Sequence, residues 1–108
     1  MKKKYFESKI KGIDWKFHSQ TNSAYVRKHG SDSGAITYTN DREVFFNLSH
    51  FSPGIVRHEV FHCYVASSGT NSAGLNPGQM EELCADIYEN HGPEMDLLVD
   101  KLLEFLLR

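Results

Sequence analysis

The 108-residue chain predicts an α+β domain, a small N-terminal sheet of about four strands, antiparallel or mixed, packed on helices. Three observations predict it. Strand-type apolar and aromatic residues recur in the first fifty positions, and Ile13, Trp15 and Phe17 alternate as in a half-buried strand. After Ser52-Pro53 the spacing becomes helical, in stretches separated by a loop after Gly69 and by Gly92-Pro93. The first of those helices carries the run His58-Glu59-Val60-Phe61-His62. The length suits one domain with a single core.

Residues 4–10 and 13–18 read as strands joined at Lys11-Gly12, with Ile13, Trp15 and Phe17 alternating cleanly. Gln20-Thr21-Asn22-Ser23 offers capping side chains before a short helix from Ala24 to His29, closed by Gly30. Ser31-Asp32-Ser33-Gly34 is a loop. Residues 35–39 and 43–48 form a hairpin around Asn40-Asp41-Arg42, its second arm rich in aromatic residues. Ser52 as cap and Pro53 in the first turn start the motif helix, which runs to about Ser68 and ends at Gly69. Thr70 to Asn76 is a loop of small and polar residues, the most flexible-looking interior stretch. Pro77 opens a third helix through about Asn90, stopped by Gly92-Pro93. A last helix over 94–107 is rich in leucine and interrupted by Asp96, Asp100, Lys101 and Glu104, hence amphipathic.

A net charge of −2 and a pI near 6.3 give no electrostatic case for nucleic acid. Lys2-Lys3-Lys4 reads as a solvated tail, and the residues after it are no signal-peptide core. No stretch approaches a membrane-spanning length. Cys63 and Cys84 fit free thiols in a reducing compartment, although a disulfide or thiolate ligation is conceivable beside candidate ligands. The broad apolar face of the last helix has room for a homodimer contact.

Histidines four apart on a helix sit one turn apart on one face, where both imidazoles reach one metal ion. Glu59 lies beside them, where a carboxylate can take a proton from a metal-bound water. This is the HExxH pattern of zinc peptidases. Chance alone gives it in about 2% of chains with these histidine and glutamate frequencies. Ile55, Val56, Val60, Phe61, Tyr64 and Val65 make the helix mostly apolar and predict that it is buried. Unpaired polar groups there would cost several kcal/mol, and a metal supplies their partners.

Catalytic zinc takes three protein ligands and leaves a fourth position to water. The metzincin pattern requires glycine and histidine where this chain has Val65 and Ser68, so that class is excluded. Nor does an aspzincin turn follow Gly69-Thr70, since Asn71-Ser72-Ala73 comes next. Further on, Glu82 and Asp86 share a helical face, so Glu82 can bind metal while Asp86 orients a histidine. Glu81, 100° around the helix, is the main rival, and His91 and Asp86 are lesser ones.

HExxH followed some twenty residues later by ExxxD resembles the gluzincin clan. A closer resemblance covers most of the chain. It comprises Ile10-Lys11-Gly12-Ile13-Asp14-Trp15-Lys16-Phe17, the hairpin led by Gly34 to Asn47, the HExxH helix and an acidic helix. Together these resemble the small bacterial and phage metallopeptidases of the ImmA/IrrE-like group. The resemblance implies a zincin-like fold, one zinc ion on His58, His62 and Glu82, and Glu59 as catalytic glutamate. Where the family usually has Glu-Ala-Asn, this chain has Glu82-Leu83-Cys84.

The expected activity is hydrolysis of peptide bonds by zinc-activated water, with Glu59 as general base and then acid. Tyr88, His91, His50 and Tyr64 are candidate donors to the developing oxyanion. An extended substrate is expected to pair with the 43–48 arm. By resemblance, that substrate is a protein or peptide, a repressor or other regulatory protein among them. The alternative is a non-catalytic, zinc-containing regulatory module of antirepressor type.

Overall fold

The structure, a computed structural model, describes residues 5–69 and 74–108. The elements run β1 (Tyr5–Ile10), β2 (Ile13–Gln20), α1 (Asn22–His29), β3 (Ala35–Tyr38), β4 (Glu43–Asn47), α2 (Pro53–Ser67) and α3 (Pro77–Leu106). An α+β fold with a mixed sheet results. Lys4, expected to open the first strand, and residues 70–73 of the expected loop lie outside the described residues.

One sheet holds the four strands in the order β1-β2-β4-β3. β1 and β2 are an antiparallel hairpin whose turn places Lys11 and Gly12 at φ of 52° and 81°. α1 and β3 carry the chain across so that β4 joins β2 in parallel, Lys16 opposite Glu43 and Gln20 opposite Asn47. β3 pairs antiparallel on the outer side of β4. The 43–48 arm is therefore interior, hydrogen-bonded on both sides, and cannot receive a further strand. β3 is the free edge beside the motif helix, which corrects the expected docking strand.

Strand alternation sends Trp15, Phe17, Val44 and Phe46 to one face. There they form a single core with Val56, Val60, Cys63 and Tyr64 of α2 and Ile87, Leu98, Val99 and Leu102 of α3. On the opposite face Phe45 is covered by α1 and by the ring of His18, stacked 4.3 Å away. α1 starts where the Thr21 hydroxyl accepts from Ala24 N, and it ends at Gly30, φ 79°. α2 starts where Ser52 Oγ accepts from Ile55 N, 3.2 Å.

The hairpin and α2 meet at Gly34. A Cβ there would come within 2.6 Å of Ile55 Cδ1 and 2.8 Å of the His50 carbonyl oxygen. Only glycine fits that approach.

The two helices expected over 77–90 and 94–107 are a single helix, with Pro93 inside it. Pro93 removes the hydrogen bond to the Glu89 carbonyl, at about 3 kcal/mol in a helix interior. The buried residues on either side, Ile87 before and Met95, Leu98, Val99, Leu102 and Leu106 after, keep one helical phase. Burying each contributes about 1.5–3 kcal/mol. Continuous packing against α2 and the sheet outweighs the lost bond. Among the described residues no helix is long and apolar enough to cross a membrane.

Candidate metal centre

α2 turns Val56, Val60, Cys63 and Tyr64 into the core, which leaves positions 58 and 62 on the outer face. The helix is thus half-buried rather than buried as expected. His58 and His62 are exposed, so the burial argument for a metal applies to Glu59 alone, which is 8% exposed.

The imidazoles of His58 and His62 meet edge to face, with their Nε2 atoms 3.0 Å apart. Zinc–nitrogen bonds of about 2.0–2.1 Å at a tetrahedral angle place two ligand nitrogens about 3.3 Å apart. The pair already stands near coordination separation. The contact is a hydrogen bond when one ring carries its proton on Nε2 and donates it to the bare Nε2 of the other.

The carboxylate of Glu59 lies beside them. Its Oε1 accepts from the Thr37 hydroxyl of β3 at 3.0 Å, and its Oε2 is 3.8 Å from His58 Nε2. One donor atom from each of His58, Glu59 and His62 lies within 4.8 Å of the others. Two imidazoles and a carboxylate are a donor set for zinc and other borderline divalent metals. The residues present fit such an ion.

A cleft of about 390 Å³ opens beside His58. Gly54, Arg57, His58 and Phe61 wall it from α2, and Tyr88, Gly92, Met95 and Asp96 from α3. The ion pair of Arg57 with Asp96 joins the two helices at the cleft, and the Tyr88 ring is 79% exposed over it.

The other sequence candidates stand elsewhere. Glu81 and Glu82 are exposed in the first turns of α3. Gly92, which shares the cleft with His58, is about 15 Å of helical rise further along. Glu82 is therefore not gathered with the two histidines. Asp86 Oδ1 accepts from Asn90 Nδ2 and contacts no ligand histidine among the described hydrogen bonds. The Tyr64 hydroxyl donates to Glu94 Oε2 at 2.6 Å, with the ring of His91 against it. That trio sits between α2 and α3, apart from the paired imidazoles. His50 is exposed at the turn facing Gly34. Of the proposed oxyanion donors, Tyr88 shares the described cleft with His58.

Cys63 and Cys84 are free thiols. Burial pushes the Cys63 thiol well up, and the charge of Glu59 pushes it further, so it stays protonated at neutral pH. Cys63 is fully buried in the core, whereas His58 and His62 are on the exposed face of α2.

Thr37 is the site residue that sequence reading misses. It lies 22 positions before Glu59 and belongs to no motif, and only its register opposite Val44 aims it at the helix.

Compared with family models, with curated proteins and with solved structures, the chain matches none. The functional reading rests on the residues of this chain.

Proposed function

We propose that the protein is a zinc-dependent metallopeptidase of gluzincin type, with His58 and His62 holding the metal and Glu59 acting as general base. One observation carries it: two imidazole nitrogens 3.0 Å apart with a nearly buried carboxylate beside them, on an open face. A bound zinc ion supplies Lewis acidity, lowering the pKa of a water and polarising a carbonyl. Glu59 Oε2, the oxygen that Thr37 leaves free, takes a proton from the attacking water and passes it to the leaving amine. A C–O bond forms and the C–N bond breaks.

The substrate would be an extended segment of a protein, a repressor or other regulatory protein by resemblance, laid along the free edge of β3. Glu82 enters this reading as third ligand only if the first turns of α3 swing towards α2. The test is Glu59→Gln with a peptide mixture read by mass spectrometry. Zinc uptake and fold persist while hydrolysis falls by at least a hundredfold, the scale of general-base catalysis at about 10²–10⁴. Unchanged hydrolysis would remove Glu59 from this role.

One observation favours the other reading, a non-catalytic module. The carboxylate within reach of both histidines is Glu59 itself, so a metal drawing on all three side chains would have no base left.

A further inference from the structure

The position of Glu59 poses a choice that the motif alone does not resolve. Its carboxylate is close enough to the imidazoles to join them on a metal, yet general-base work requires it to stand off. One side chain outside the motif bears on that choice. Thr37 Oγ1 donates to Glu59 Oε1 at 3.0 Å, whereas Oε2 lies 3.8 Å from His58 Nε2 without a hydrogen bond to it.

The donor is rigidly placed. Thr37 sits in β3 opposite Val44, and a β-branched side chain has little rotameric freedom. Glu59 is nearly buried, so an Oε1 deprived of this hydroxyl would need another partner. The imidazole pair is within reach, and so would be a metal held by it.

We propose that Thr37 is a positioning residue that decides which role Glu59 takes. By holding Oε1 to the edge of the sheet, it keeps the carboxylate from becoming a third metal ligand and leaves Oε2 available for proton transfer. This rests on the peptidase reading for its catalytic half, while the metal-binding half stands without it. The same hydroxyl would mark the difference between a catalytic site and a passive metal clamp.

The experiment compares wild type, Thr37→Val, Thr37→Ser and Glu59→Gln, and also Thr37→Val in the Glu59→Gln background. Zn²⁺ affinity is measured by chelator competition, and kcat and KM on a peptide that the wild type cleaves. Valine keeps the shape and the strand and removes only the donor. Thr37→Val is expected to bind Zn²⁺ about tenfold or more tightly than wild type, and to lose about tenfold or more in kcat with KM little changed. Thr37→Ser returns both values to the wild-type range. In the Glu59→Gln background, Thr37→Val leaves Zn²⁺ affinity unchanged, which a purely structural effect would not do.

Equal Zn²⁺ affinity for wild type and Thr37→Val overturns the proposal, as does Thr37→Ser behaving like valine. A wild type that binds Zn²⁺ but cleaves no peptide overturns the peptidase reading instead, and the affinity comparison still tests the tether.

Discussion

Nε1 of Trp15 donates to Oγ of Ser67 across 2.7 Å of buried interior, tying the interior strand β2 to the last turn of α2. Trp15 is the largest fully buried side chain, and Ser67 lies one turn and a half beyond His62. This bond joins the C-terminal turn of the motif helix to the sheet, beside the core packing of Val56, Val60, Cys63 and Tyr64 that seats the helix.

Ser67→Ala leaves the indole N–H unpaired in the core. The expected cost is about 1–3 kcal/mol of stability, read as a lower urea midpoint with an unchanged slope. Ser67→Thr, which retains a hydroxyl, should lose less.

Gly34→Ala sets a methyl against Ile55 Cδ1 and the His50 carbonyl, at 2.6 and 2.8 Å. Since a carbonyl cannot yield as a side chain does, the hairpin and α2 must part slightly. A destabilisation of about 1–3 kcal/mol is expected, with a matching fall in melting temperature.

Pro93→Ala runs the other way. It restores an N–H to pair with the Glu89 carbonyl in a helix already continuous across that point. Stability should rise, by up to about 3 kcal/mol, and helical circular dichroism should increase slightly. A fall in stability would mean that the proline shapes α3 rather than merely being tolerated.

His18 and His29 make stability depend on pH. Burial holds both imidazoles below their ordinary value, with Glu43 opposing it at His18 and Lys28 adding to it at His29. Above the unfolded value near 6.5, both are neutral whether folded or not, and their contribution to stability is complete. As pH falls below that value, the unfolded chain takes up protons that the folded chain refuses, and stability is lost. Urea midpoints in chelator should therefore drop from pH 7 to pH 5. His18→Gln with His29→Gln should flatten that slope, and a slope left intact would place the dependence elsewhere.

Much of the scaffold is legible in the chain because local signals and tertiary packing agree. Ile13, Trp15 and Phe17 announce a strand and occupy one; Ser52-Pro53 announces a helix start and provides it. Reading fails where a long-range term overrides a local one. Gly92-Pro93 is a helix stop by propensity, but the apolar stripe on both sides stays in phase and packing carries α3 through. The neighbours of β4 could not be read from the hairpin, because the parallel pairing with β2 depends on a crossover distant in sequence. At the site, His58, Glu59 and His62 are legible since one turn of helix brings them together. Thr37 is not, since its relation to Glu59 exists only once the sheet has formed.

The central claim is that the paired imidazoles grip a divalent metal, and a Zn²⁺ titration of the metal-free protein tests it most directly. The account predicts one ion per chain, and a rise in melting temperature on the order of 10 °C at a hundredfold excess over Kd. It also predicts the loss of both in His58→Ala and in His62→Ala. Wild-type protein that takes up no zinc, or alanine variants that bind it as tightly, would contradict it.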